Sequence, residues 1–351
     1  GGLASHVVTS GSWKGRSLMS AARRMAWLLA ALALVVAACG DDNGTAVEDG
    51  STTTMITRET DPDGTVATTA PPETASPDTT PTTFPPGGGV DLSLTRDDVD
   101  CAEYEEFTGE EFDYHVVHYV VEGNLGAVCF GEEDDTLYQA WDLLTTIVPG
   151  GQLNDLALFV GYVSLDEEAV TLAYVSAFPE LGVFEMAVDL DQADADADEF
   201  ALTMAHEFSH VFTALPFELD RDVDEEDCTT YFNGDGCYTE ASLMWEWVRT
   251  FWDAELLAEI DPFDQAFNEE GAVQRCATDA GFIGEYAATT PEEDFAEAFS
   301  AFVFQVPVEE PAVQARMDWF AQQPGLLEFQ ERAEAAGLAD LAGNNFTGCG
   351  F

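Results

Sequence analysis

Lysine is almost missing from this chain of 351 residues: the single one, Lys14, lies ahead of the first methionine, Met19. Lys and Arg together number 11 against 68 acidic residues, a formal net charge of −57. So few cations argue against nucleic acid and anionic membrane surfaces as partners, because both need a basic face. The composition suits a protein kept soluble by a hydrated acidic surface, in a medium salty enough to screen self-repulsion. No C-x-x-C pair is present, which speaks against a cysteine-ligated zinc site. No apolar run approaches the ~20 residues that cross a bilayer, and no internal repeat is visible. Histidine is scarce too, with five in all.

What is there begins with a processing signal. From Met19 the chain reads two arginines, Arg23 and Arg24, and then an unbroken apolar run over 26–38. That length and those flanks are those of a signal h-region. The run ends Val36-Ala37-Ala38-Cys39. Small residues directly before a cysteine resemble the lipobox of bacterial lipoproteins, in which the cysteine is lipidated and becomes the mature N-terminus. An ordinary secretory signal with an incidental cysteine is the alternative. Residues 1–18, ahead of the first methionine, read as non-native upstream sequence. The resemblance implies a signal peptide at 19–38 and an extracytoplasmic protein facing outside. Such a protein meets the membrane only through a lipid on Cys39. Residues 39–95 are rich in Thr, Pro, Asp and Gly with little apolar to bury. They read as a disordered tether that cannot offset its ordering entropy. Residues 96–351 then form one folded domain, long enough for a sizeable core.

Six cysteines lie in that domain: Cys101, Cys129, Cys228, Cys237, Cys276 and Cys349. An even number in an exported chain reads as a disulfide framework. Six allow fifteen pairings. Cys228 with Cys237 is the local pair that turn chemistry favours, since Asn-Gly and Asp-Gly steps lie between them; Cys101 with Cys129 and Cys276 with Cys349 complete the expectation. The acidic runs 189–200 and 220–227 could hold Ca²⁺. The second opens like an EF-hand loop but has Glu225 where the turn glycine belongs and Tyr231 where the bidentate glutamate belongs, so solvated surface is the better reading.

Hydropathy patterning predicts strands at 156–164, 169–178 and 182–190, with 112–123 either a strand or a helix end. Helices are predicted at 135–150, with Asp135 as N-cap, at about 196–215, at 238–260 and at 291–306 with Pro291 in its first turn. Further helix follows after 309. Strands first and helices after make an α+β domain.

The chemistry sits in "TMAHEFSHVF" (203–212), where His206, Glu207 and His210 fit H-E-x-x-H. Residues i and i+4 share one helix face, so both imidazoles can meet one zinc ion with Glu207 beside a bound water. Only His115 and His118 otherwise remain after the signal. Two histidines do not complete a site. Downstream stands "YAATTPEEDFAEAF" (286–299), with Tyr286, Glu293 and Glu297. With H-E-x-x-H it resembles the gluzincin zinc metallopeptidases, above all the branch containing the anthrax lethal factor catalytic domain and bacterial proteins described as zinc-binding metallopeptidases. The resemblance covers the two motif regions closely and 100–305 only loosely, with a longer stretch between the motifs here.

What the resemblance implies is a zincin-like α+β fold, a small mixed sheet followed by a mostly helical lobe, acting on peptide or protein substrates. It makes Glu293 the third zinc ligand, Glu297 a carboxylate that orients a ligand histidine, Tyr286 a hydroxyl donor to the oxyanion and Glu207 the general base. Glu240, at a helix start after the Cys228/Cys237 loop, is the competing third ligand. An extended substrate is expected to add to an edge strand, for which 182–190 is the candidate. The other reading is a surface lipoprotein that keeps the scaffold as a binding module without catalysis. Oligomeric state and cleavage preference are left open by the sequence.

Overall fold

A computed structural model of the chain describes residues 87–341, apart from 103, 110 and 166–169, together with Phe346 and Cys349. The signal segment, Cys39 and the tether up to residue 86 lie outside the described residues. All described residues fall in one compact unit.

Five strands form a mixed sheet: β1 Phe112–Val121, β2 Asn124–Gly131, β3 Leu156–Ser164, β4 Ala173–Phe178 and β5 Val183–Asp189, in the order β2-β1-β3-β5-β4. Only β3 and β5 run parallel; the other pairs are antiparallel. The tight β1–β2 turn needs two left-handed residues, and Glu122 (φ 49°) and Gly123 (φ 72°) supply them. A second ladder pairs β6 Leu219–Asp220 with β7 Cys237–Tyr238.

The edge-strand expectation is corrected here. The segment expected at the edge, β5, lies between β3 and β4, and the edges are β4 and β2. From Phe184 to its end β5 is buried at every position. A strand covered on both faces and both flanks reads as a continuous apolar run, and "FEMAV" is nearly that. The β4–β5 hairpin puts the shorter strand outside.

One face of the sheet carries Val117, Val160, Tyr162 and Tyr174 under the segment 99–104 and the short helix α1, Tyr104–Phe107. The helical lobe covers the other face: α2 Asp135–Ile147, α3 Leu190–Ala195 and α4 Ala197–Thr213 lie against the strands, and α5 Leu243–Phe251, α6 Ala254–Leu257, α7 Gln265–Cys276, α8 Pro291–Val303, α9 Pro311–Phe320 and α10 Leu327–Ala335 complete the lobe. Phe212 of α4, Phe295 and Phe299 of α8, Phe320 and Phe329 pack edge to face in the centre of this lobe, with Phe208 tilted against Phe212 and Phe329. Such rings bury large apolar areas and fix the helices against one another.

Three local expectations change. Asp134, not Asp135, caps α2, because its side chain accepts from the N–H groups of Thr136 and Leu137. The single helix expected at 238–260 is two: α5 begins only after the Ser242 cap, and the chain breaks at Trp252 and Asp253, where Asp253 caps α6. The folded body also starts inside the span that composition assigns to the tether. Gly87 donates to Thr145 O at 2.9 Å, Trp141 donates to Gly89 O at 3.3 Å, and Val90 bridges Leu125. Glycine is needed at 87, since a Cβ there would meet Val148 O at 2.6 Å.

Disulfides join Cys101 to Cys129, Cys228 to Cys237 and Cys276 to Cys349, the bonds of a protein from an oxidising environment. In the run 189–200, Asp189 and Asp196 spend their carboxylates capping α3 and α4. No described helix is long and apolar enough to cross a membrane.

Candidate metal centre

Two helices build the site. In α4, Asp196 caps the N-terminus and Asp198 and Glu199 complement the dipole of the first turn. Phe200, Met204, Phe208, Val211 and Phe212 bind the helix into the core. His206 and Glu207 are consequently buried, while the His210 side chain keeps 12% of its surface exposed. The site therefore opens on the His210 side. In α8, Thr290 caps the helix by accepting from Glu293 N, Pro291 occupies the first turn, and Glu293 and Glu297 follow on one face.

The helices cross so that their polar faces meet. His206 Nε2 lies 3.1 Å from Glu293 Oε2 and 3.2 Å from His210 Nε2, and His210 Nε2 lies 3.6 Å from the same Glu293 oxygen. Ligands held ~2.0–2.1 Å from a tetrahedral zinc ion sit about 3.3 Å from one another. The three distances are thus the edges of such a site, and these three residues could hold a metal. Two imidazoles and one carboxylate suit a borderline transition metal rather than calcium, which takes oxygen ligands. Among the described residues no other group of His, Cys, Asp and Glu converges in this way.

Glu297 Oε1 is 3.0 Å from His206 Nδ1, the ring nitrogen turned away from the centre. Burial opposes a charge on His206, but Glu293 and Glu297 outweigh it and raise its pKa well above the ordinary value. Burial works against the Glu293 carboxylate too, and the two histidines reverse it, holding Glu293 well below the usual range.

Glu207 is treated differently. It is 0% exposed, and neither carboxylate oxygen has a hydrogen-bond partner among the described residues. Burial pushes its pKa up, against the pull of His206 and His210. Tyr286, in the short turn before α8, has its ring 6.0 Å from that of His206 and hydrogen-bonds Glu293. Burial, then Glu293 and Glu207, raises its phenol pKa well above normal, so the hydroxyl stays a donor. Glu240 is exposed in the turn before α5 and outside the converging group. His115 and His118 lie on β1, away from it, with His118 Nδ1 donating to Gly126 O at 2.8 Å.

Sequence reading missed two neighbours of Glu293. Asp294 is wholly buried on the opposite face of α8, where Oδ2 accepts from Trp247 Nε1 (3.0 Å), Trp252 Nε1 (2.9 Å) and Arg316 Nε (3.2 Å). Burial lifts its pKa to about 6 despite these donors. Glu292 Oε2 accepts from Tyr231 at 2.9 Å, Tyr238 bonds the same carboxylate, and burial brings its pKa to about 7. In a run of first-turn acids nothing local separates these two from helix-dipole residues. An arginine among the apolar residues of α9 was the available signal for Asp294.

No protein-family profile matches the chain, and no curated protein matches it. Among solved structures it is similar to a "putative zinc-binding metallo-peptidase" from Bacteroides caccae, at 15% identity and a TM-score of 0.24. The match covers 57% of this chain and 64% of that one, less than two thirds of its length. At that score the likeness adds nothing to the geometry of the histidines and Glu293.

Proposed function

We propose that this chain is a zincin-like, zinc-dependent peptidase that works outside the membrane on a lipid anchor at Cys39. The observation that carries the reading is the set of three convergent ligand atoms 3.1–3.6 Å apart beside a buried carboxylate without a hydrogen-bond partner among the described residues. An unpaired carboxylate in an apolar interior is costly, and a reaction that needs a base accounts for it.

His206, His210 and Glu293 would hold the ion, and Glu297 would fix the ring of His206 through its Nδ1–H. Zinc, when bound, polarises the scissile carbonyl and lowers the pKa of water to about 7. Glu207 then takes the proton of the attacking water and returns it to the leaving nitrogen. Its raised pKa brings base and acid forms closer to the working pH. The Tyr286 hydroxyl donates to the carbonyl oxygen as negative charge develops there. β4, the free edge, packs against α4 and offers unpaired backbone groups to an extended substrate.

The test is zinc content of the purified protein before and after chelation, measured beside hydrolysis of a diverse peptide library. One zinc per chain, with activity lost on chelation and restored by zinc, is expected. Zinc without hydrolysis of any peptide would move the assignment to a binding module on the same scaffold.

A further inference from the structure

Arg275, in the last turn of α7, is buried at 2% exposure. Among the described residues its guanidinium bonds only backbone carbonyls. Nε donates to Ala288 O at 2.6 Å and Nη2 to Thr289 O at 3.3 Å, and Nη2 also meets Asn268 O of α7 itself. Glu259 acts on it only at a distance. A buried cation with no carboxylate against it destabilises a protein unless its donors are used. α7 also gives up helix propensity to seat it. Gly271 stands inside the helix, one turn before Arg275, where glycine is the poorest choice after proline. A Cβ there would run into Nη1 of Arg275, with Cζ only 3.1 Å away.

The two carbonyls that Arg275 takes outside its own helix belong to one turn. Tyr286–Ala288 is a short helical turn, closed by Thr289, whose N–H and hydroxyl donate to Tyr286 O at 3.0 and 2.7 Å. Ala287 and Ala288 are buried but carry no polar side chain of their own. This turn bears Tyr286, whose ring lies 6.0 Å from that of His206 and whose hydroxyl bonds Glu293. α8, which bears Glu293, has separate anchors in the Thr290 cap, the donors around Asp294 and the phenylalanine rings. What depends on Arg275 is therefore the phenol rather than the ligand carboxylate.

We propose that Arg275 is a positioning residue for Tyr286: its planar fork, spanning Ala288 and Thr289, sets where the phenol hydroxyl stands beside the histidines. The inference rests on the peptidase reading for the use made of that hydroxyl, donation to the carbonyl oxygen under attack. A donor to a developing oxyanion works over a narrow range of distance, and a misplacement of about 1 Å can lower a rate by about a hundredfold. Lysine cannot replace the fork, because its ammonium is a point charge on a flexible stem.

The test places Arg275→Lys and Gly271→Ala in the wild-type and Tyr286→Phe backgrounds. Each should lower kcat roughly tenfold, with KM and zinc affinity within about twofold of wild type. Once Tyr286 is phenylalanine, either change should have less than about a twofold effect, since the hydroxyl through which it acts is gone. Gly271→Ala keeps every donor in place and improves helix propensity, so a lower kcat in a protein that melts no earlier is not a loss of folding. A second readout needs no turnover. With fluorotyrosine in place of tyrosine, the fluorine resonance of Tyr286 is identified by its loss in Tyr286→Phe. It should move in both variants while the other tyrosine resonances hold. An unmoved Tyr286 resonance, kcat effects that persist in full in the Tyr286→Phe background, or a loss of zinc affinity as large as the loss of kcat would overturn the proposal. A wild-type protein that cleaves no peptide would count against the peptidase reading, and the resonance would still decide whether Arg275 places the phenol.

Discussion

Glu207 and Asp294 are both 0% exposed, and the fold treats them in opposite ways. Asp294 is surrounded by two indole N–H groups and the Arg316 guanidinium, itself held between the rings of Phe251 and Phe282. Glu207 has no hydrogen-bond partner for either oxygen among the described residues. A buried carboxylate that gathers three donors on one oxygen is a structural joint: it ties α5, Trp252 and α9 to α8. A buried carboxylate without donors destabilises the protein that keeps it. In the proposed mechanism Asp294 fixes the angle at which α8 offers Glu293 to the histidines, and Glu207 is the base.

The largest effect expected from this contrast is on catalysis. Glu207→Gln should retain zinc and lower hydrolysis by roughly a hundred- to ten-thousandfold, measured with any library peptide the wild type cleaves. Glu207→Met, which replaces the charge by an apolar chain of similar size, should in the same metal-free state raise the unfolding free energy by about 1–3 kcal/mol. Retained activity in the first variant, or a less stable second one, would make Glu207 another joint.

Asp294→Ala should do the reverse, lowering the unfolding free energy by about 3–5 kcal/mol because Arg316 is left buried without its counter-charge. Zinc affinity should fall with it, as α8 loses the anchor opposite Glu293. A denaturant titration showing less than about 1 kcal/mol would mean that the donors around Asp294 are incidental.

Glu297→Gln tests an intermediate case, a carboxylate that touches a ligand without being one. Competition against a chelator should show zinc affinity about 10–100-fold weaker, with the fold intact. An unchanged affinity would leave the 3.0 Å approach to His206 as packing alone.

The smallest expected effect is at His118, fully buried in β1 with Nδ1 bonded to Gly126 O and no hydrogen-bond partner for Nε2 among the described residues. Burial depresses its pKa below 6.5. Between its folded value and about 6.5 the unfolded chain therefore binds more protons, so stability rises with pH across that window and is lost as pH falls through it. His118→Phe should flatten this slope relative to wild type in denaturant melts below pH 6.5, an effect that identical slopes would refute.

Much of the centre was legible before any coordinates. The H-E-x-x-H spacing puts two imidazoles on one face by helix geometry alone, and Pro291 announces the helix that carries Glu293. The turn residues between Cys228 and Cys237 forecast a local bridge, which is present. The edge strand was misplaced because apolar runs reveal burial but not neighbours, and only the β4–β5 hairpin puts β4 outside. The helix expected at 238–260 reads as continuous in periodicity. It breaks where Trp252 turns its indole N–H into the buried Asp294, a partner 42 residues away.

The division follows from the range of the forces. Capping, periodicity and turn chemistry act within a few residues, so the amino-acid order alone determined the α4 and α8 caps, the histidine pair and the α+β class. Which of the three adjacent acids, Glu292, Glu293 and Asp294, meets the loop, the ligands or the core depends on the rotation of α8. That rotation is set by Phe295 and Phe299 packing among rings contributed by α4, α9 and α10. Contacts between segments so far apart in the chain exist only once the helices have packed, and packing alone turned a helical motif into a three-ligand centre.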